Sequence, residues 1–193
     1  MSKIISRHID NAILTLKSLN KEIKKIEKIS NLIEKKITSG NKIFVYGNGG
    51  SFADSAHFVG ELVATYKKKN RKGLPFYLLS SNLAAVTAWS NDFNFDKYVT
   101  REFETLAKKG DVLIIFSTSG GDIKKKQSLN LINLAKYAKK NSNEIICLLG
   151  KGGGALKKIS KNNIIINSNE TGTIQEMHKI IFHSICAFFD EKF

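Results

Sequence analysis

The chain is poor in the residues that would mark an unusual class of protein. Proline occurs once, at Pro75, and tryptophan once, at Trp89. A proline-rich linker and a collagen-like repeat are therefore excluded. Cysteine occurs twice, as Cys147 and Cys186, each inside an apolar run (IICLL and SICAFF). Two such residues supply neither a disulfide framework nor a cysteine-type zinc site, and both read as small core hydrophobes. No apolar run approaches the roughly 18 residues that a membrane span needs. The opening MSKIISRHIDNAI lacks the apolar stretch and cleavage site of a secretory leader, so a cytoplasmic location is expected.

Acidic residues are also scarce: 17 Asp and Glu against 31 Lys and Arg give a net charge of +14. The lysines come in short bursts, such as Lys35-Lys36, Lys67-Lys68-Lys69 and Lys124-Lys125-Lys126, near helix ends and on polar helix faces. They read as solvating residues, and nucleic-acid binding is not expected. A basic balance still favours the approach of an anionic substrate. With 193 residues and 42% hydrophobic content, the chain is long enough for one domain with a sizeable core.

What is present is organised around Lys42–Glu61, KIFVYGNGGSFADSAHFVGE. Ile43-Phe44-Val45-Tyr46 reads as a strand, Gly47-Asn48-Gly49-Gly50 breaks it, and a helix is predicted from Ser51. A helix that starts directly after a glycine loop aims free N–H groups and a positive dipole end at whatever lies there, which makes an anion site. His57 and Glu61 follow at i, i+4 and share one helix face. GNGGSFAD lacks the Gly-Lys-Ser/Thr ending of a P-loop and is not a G-x-G-x-x-G fingerprint, so a phosphosugar is preferred over a nucleotide.

Along the chain, residues 3–39 carry apolar residues at helical period (Ile5, Ile9, Ile13, Leu16, Leu19, Ile23, Ile26, Ile33, Ile37). They predict one long amphipathic helix, or two breaking near Asn20, with Gly40 as the stop. Such an arm either packs on another subunit or covers its own sheet, and the length of the stripe favours the oligomer. The expected division is a helical arm over 1–40 and a second unit over 41–193. Strands are predicted at Pro75–Leu79, Asp111–Phe116, Glu144–Leu149 and Asn163–Asn167. Helices are predicted at Leu83–Trp89, Asp96–Lys108, Asp122 to about Lys140, a short one ending at Ser160, and Thr171–Phe189. Ser90-Asn91-Asp92 reads as a polar break. This alternation implies a parallel sheet between two helical layers.

Ser117-Thr118-Ser119-Gly120 ends the DVLIIF run as the glycine loop ends the first strand. Three hydroxyls beside a helix N-terminus can hold a phosphate without lysine or metal. In the last helix, Gln175 and His183 are eight residues apart and can line one side; His178 and His183 point to different faces. His8 reads as a surface residue. Asn91 and Asp92 could hydrogen-bond sugar hydroxyls.

Taken in order, GNGGS with D-x-x-H-F-x-x-E-L, the NDF turn, D-V-L-I-x-x-S-T-S-G, G-K-G-G-G and I-Q-E-M-H-x-x-x-x-H resemble the phosphoheptose isomerases of the sugar-isomerase (SIS) domain superfamily. The resemblance runs nearly the whole length. It implies an α/β three-layer sandwich with a central parallel, flavodoxin-like sheet, usually assembled as a homotetramer. It implies conversion of D-sedoheptulose 7-phosphate to D-glycero-D-manno-heptose 7-phosphate, toward heptose of lipopolysaccharide or capsule. Carried over by motif, Asn48, Gly49, Gly50, Ser51, Asn91, Asp92, Ser117, Thr118 and Ser119 would bind substrate. His57, Glu61, Gln175 and His183 would hold one zinc ion, with Glu61 as general base and His183 as general acid. Glu61 and Gln175 would also contact substrate, and so would Asp122. Three positions differ from the family pattern. Thr65 stands where an arginine is common, Asp122 where a phosphate-binding serine ends the second loop, and Gly172 where some members carry an acid. The alternatives are a SIS protein acting on another phosphosugar, and a non-catalytic tetrameric scaffold of the replication-initiator-associating type.

Overall fold

The computed structural model describes residues 2–193. The order of elements is α1 (Ser2–Ser18), a 3-10 turn (Leu19–Glu22), α2 (Ile23–Thr38), β1 (Ile43–Gly47), α3 (Gly50–Val63), β2 (Phe76–Leu78), α4 (Leu83–Asp92) and α5 (Phe95–Leu106), then β3 (Val112–Ser117), α6 (Leu129–Lys140), β4 (Glu144–Leu149), α7 (Leu156–Ile159), β5 (Asn162–Ile165) and α8 (Thr171–Lys192). The five strands are all parallel in the order β2-β1-β3-β4-β5. This is the flavodoxin-like order, in which the chain reverses direction between β1 and β3.

The apolar runs form strands because both sheet faces are covered, and alternate residues serve the two layers. Val45, Ile114, Phe116, Ile146 and Leu148 pack with Ile29 and Ile33 of α2, Phe58 and Leu62 of α3, and Ile181 and Phe182 of α8. Phe44, Tyr46, Leu113, Ile115, Cys147 and Leu149 pack with Val99 and Phe103 of α5, Leu131 and Leu134 of α6, and Leu156 of α7. Cys147 and Cys186 thus lie on opposite faces of the sheet. Both are free and buried, as core hydrophobes should be, and burial pushes each thiol up to about 12.

The arm breaks where expected: the 3-10 turn spans Asn20, and Gly40 ends α2 at φ +80°. Its two halves differ in fate. Ile29 and Ile33 of α2 are in the core, whereas Ile4, Ile5, Ile9, Ile13 and Leu16 of α1 remain exposed. Two segments fold differently from expectation. The Ser90-Asn91-Asp92 segment is the last turn of α4 rather than a break. The helix expected from Asp122 begins only at Leu129. Residues 122–127 instead fold back as a small antiparallel bridge, in which Asp122 and Gln127 exchange backbone hydrogen bonds of 3.0 and 2.8 Å.

The loop after α3 is held by a buried ion pair that pattern reading did not show. Arg71 is 4% exposed. Its Nε donates to Asp190 Oδ1 at 2.7 Å, and its Nη groups donate to the terminal carbonyls of α3 at Glu61 (2.6 Å) and Leu62 (2.9 Å). Asp190 Oδ2 accepts from the backbone of Lys67 and Lys68. The pair therefore ties the C-terminal end of α3 to that of α8. Burial pushes the Asp190 carboxyl up, but the two backbone N–H groups and the guanidinium outweigh it and hold it below the usual carboxylate range.

Removing one partner of such a pair leaves a buried charge uncompensated and costs about 3–5 kcal/mol. Asp190→Ala is expected to lower the thermal midpoint by roughly 6–20 °C at neutral pH. A carboxyl depressed by folding stabilises above its ordinary pKa of about 4, and that contribution is lost as pH falls below it. Thermal denaturation between neutral and acidic pH should therefore show the gap between wild type and variant narrowing in acid. A gap independent of pH would show that the charge on Asp190 contributes nothing.

Candidate active site

β1 pairs with β3 along all of its own length, with Gly47 level with Phe116. The loops that leave them, 47–50 and 117–121, therefore start side by side at the carboxyl edge of the sheet. The first loop turns tightly: Ser51 N–H donates to Asn48 O at 3.0 Å and Phe52 N–H to Gly49 O at 3.0 Å. Gly49 sits at φ +56°, ψ −122°, a conformation open mainly to glycine. At Gly50 a Cβ would run into the side-chain amide of Gln175, which would have to move aside. Gln175 of α8 is thereby seated directly against the glycine loop.

The second loop is shaped by its own hydroxyls. Ser117 Oγ accepts from Gly120 N–H at 3.0 Å and Ser119 Oγ from Gly121 N–H at 3.2 Å. The Gly152-Gly153-Gly154 turn braces it from behind, where Ala155 N–H and Leu156 N–H donate to the carbonyls of Gly121 and Gly120. Thr118 is half-buried. Beside the first loop lies a cleft of about 430 Å³, lined by Tyr46, Asn48, Gly49, Ser80, Leu83 and Phe95, within the roughly 300–1,000 Å³ of small-ligand sites.

Behind the glycine loop, one helix face of α3 carries His57 and Glu61, with His57 Nε2 2.9 Å from Glu61 Oε1. α8 packs on α3 and brings in His183, whose ring centroid is 5.0 Å from that of His57. One ligand atom from each of His57, Glu61 and His183 lies within 4.8 Å of the others. Tyr66 stacks on His183 at 5.5 Å with an interplanar angle of 11°, and Phe182 packs edge-on against both imidazoles. Burial lowers the His183 pKa, reinforced by His57, Lys179 and Lys67 and opposed by the Glu61 carboxylate. The imidazole is consequently neutral near pH 7, with a lone pair available to a metal or a proton.

The structure thus brings His57, Glu61 and His183 together and seats Gln175 on the glycine loop next to Asn48 and Ser51. It does not join the others as directly. Asn91 Nδ2 donates to Asp92 Oδ1 at 2.9 Å at the exposed end of α4, so these two bond each other rather than either loop. Asp122 does not cap α6. Its carboxylate accepts the N–H groups of Lys124 and Lys125 within its own turn. His178 faces away from His183, as the five-residue spacing implied, and is a core residue. It is fully buried with Nε2 3.4 Å from Leu149 O, and burial pushes it down to about 4. His8 is exposed and pairs with Glu176 at 3.1 Å.

Sequence reasoning missed three residues near the site. Ser128 is the residue before α6, in the left-handed conformation (φ 54°), and its hydroxyl makes no cap bond. Asn130, 2% exposed, bonds Asn48. Asp54, one turn before His57, is 3% exposed with Lys179 Nζ 3.6 Å from Oδ1 and no partner at Oδ2. Burial raises its pKa, against the pull of Lys179. An acid within the apolar first half of α3 was the available signal for Asp54; nothing local marked Ser128 or Asn130.

Comparison with known proteins agrees with this geometry. Residues 7–150 match the SIS domain family. The chain is 43% identical over 175 residues to a probable phosphoheptose isomerase of Thermoplasma acidophilum, covering 91% of this chain and 92% of that protein. It is 41% identical over 167 residues to the phosphoheptose isomerase of Aliarcobacter butzleri, covering 86% and 85%. Its fold superposes on the phosphoheptose isomerase of Neisseria gonorrhoeae with a TM-score of 0.88 at 27% identity, covering 98% of each chain. A family match over most of the chain, relatives along nearly its whole length and a superposable fold lead to one conclusion: the chain belongs to the phosphoheptose isomerases of the SIS-domain superfamily.

Proposed function

We propose that the protein is an aldose–ketose isomerase converting D-sedoheptulose 7-phosphate to D-glycero-D-manno-heptose 7-phosphate in the cytoplasm, for heptose of a surface polysaccharide. The observation that carries this reading is the convergence of His57, Glu61 and His183 beside two anion-type loops. A non-catalytic scaffold has no need of that convergence.

The first loop and the start of α6 supply N–H groups and hydroxyls for the phosphate. Ser117, Thr118 and Ser119 form one side. Ser128 takes the place that Asp122 was expected to hold, because it stands at the true start of α6 with a free hydroxyl. Asp122 is spent on its own turn. With the phosphate fixed, the carbonyl end of the sugar reaches the α3–α8 pair. Glu61 removes a proton from C1 of the ketose, the C–H electrons form the C1–C2 double bond, and O2 takes up a proton. Return of the proton to C2 and loss of the proton on O1 leave the aldehyde. His183 delivers and receives the oxygen-bound proton.

His57, Glu61 and His183, with Gln175, would hold a zinc ion. The two imidazoles and one carboxylate suit zinc, and the lowered pKa of His183 keeps it ready to ligate. Bound there, zinc would supply Lewis-acid polarisation of a substrate oxygen. Assembly is proposed to be a homotetramer in which α1 buries its exposed isoleucines against another copy.

In deuterated water, wild type should release aldoheptose phosphate carrying deuterium at C2, read by NMR. Glu61→Gln should lower turnover by at least about a hundredfold with the fold unchanged; wild-type rates in that variant would exclude Glu61 as the base. Ser128→Ala should raise KM roughly tenfold or more through the lost bond to a charged group, while Asp122→Ser should leave KM within about twofold. The reverse pattern would place the phosphate at the 122–127 turn. Zinc content after dialysis against buffered zinc should hold at neutral pH and fall only below the ordinary imidazole pKa of about 6.5, because protonation of His183 is delayed. Zinc retained at the wild-type level in His183→Ala would mean that His183 is not a ligand.

A further inference from the structure

The two loops are not independent. Asn48 Nδ2 donates to Asn130 Oδ1 at 3.0 Å, and Asn130 Nδ2 donates to Asn48 Oδ1 at 2.7 Å. This is a closed pair of amides joining the glycine loop after β1 to the first turn of α6. Asn130 is 2% exposed, and its second N–H donates to Tyr46 Oη at 3.2 Å. A side-chain amide has two N–H groups and two carbonyl lone pairs. Asn130 therefore has both N–H groups engaged by protein and is shut off from any ligand. Asn48 uses one N–H and one lone pair, keeps one of each, and lines the cleft.

From this asymmetry we infer that Asn130 is a positioning residue: it fixes the amide of Asn48 in one orientation and holds the two halves of the substrate cradle at a set spacing. The assignment rests on the reading of Asn48 as a substrate-binding residue. Tyr46 is the outer support. It is buried in β1, and its ring packs against Phe52 of α3 at 6.2 Å, so its hydroxyl is anchored by the sheet. Without Asn130, the Asn48 amide can rotate and offers a sugar phosphate either end at random. That loss falls on ligand binding through Asn48 and not on Glu61 or His183, whose helices lie on the opposite face of the sheet from α6.

The test is a double-mutant cycle on binding of sedoheptulose 7-phosphate by calorimetry, with turnover measured in parallel. Asn48→Ala and Asn130→Ala should each weaken binding about tenfold, the loss expected for one bond to a charged or polar ligand. The double variant should weaken it about tenfold as well, because Asn130 acts only through Asn48. Losses that multiply to about a hundredfold would overturn the assignment and make Asn130 a structural residue. Asn130 is buried, so Tyr46→Phe serves where Asn130→Ala does not fold. It should weaken binding a few-fold in wild type and have no effect beside Asn48→Ala; an equal effect in both backgrounds would equally overturn the assignment. Binding without turnover would remove the isomerase reading and leave the cycle decisive for the pair. Absence of binding in wild type would remove both.

Discussion

The site depends on the parallel pairing of β1 with β3. The two strands share a register from Ile43↔Val112 to Gly47↔Phe116, so they end level. From there the chain departs in opposite directions. The first loop leads into α3 on one face of the sheet, and the second leads, after the 122–127 turn, into α6 on the other. A crevice between diverging loops is the unavoidable result, and it is where ligands of open parallel sheets bind. The same geometry brings the proposed catalytic groups together. Because α3 lies on the α2–α8 face, its outward residues His57 and Glu61 meet α8, and α8 supplies His183 from one turn and Gln175 from another.

The charges follow from this layout. The site holds one carboxylate between two imidazoles, flanked by Lys67 and Lys179, which disfavour a third positive charge on His183. A neutral imidazole close to a hydrogen-bonded carboxylate is suited both to metal binding and to proton relay. Most of the remaining lysines are exposed to solvent, and a net charge of +14 is of the sign that raises the local concentration of anions.

The fold was largely legible because each strand is a short apolar run bounded by glycine or polar residues and each helix carries an apolar stripe. Glu144–Leu149 was read to the residue. What periodicity did not show is instructive. Asp122 looked like a helix cap because Asp commonly is one, but the lysine run after it has no apolar stripe to bury, and α6 waits for Leu129-Leu131-Ile132. Asn91 and Asp92 looked like a break because polar residues mark turns, yet they merely finish α4. Arg71–Asp190 and Asn48–Asn130 join residues 119 and 82 apart. Such pairs exist only once the topology has folded, so no local pattern announces them. The close cluster of His57, Glu61 and His183 was foreseeable only in part: α3 fixes the first two by spacing, while the third needs the packing of α8 on α3.

The N-terminal arm shows the limit of amphipathic pattern most clearly. α1 and α2 carry equally regular stripes, but only the stripe of α2 reaches the sheet, where Ile29 and Ile33 are buried against β-strand residues. The stripe of α1 runs on past the edge of the domain, leaving Ile4, Ile5 and Ile9 at 66%, 64% and 52% exposure. Large exposed apolar faces on a protein mark interaction surfaces. α1 also touches the head of α8 through His8 and Glu176, one residue from Gln175 and its seat on Gly50. α1 thus packs on the helix that carries His183 and Gln175, and the homotetramer proposed above would cover α1 beside the end of α8 on which Gln175 is mounted.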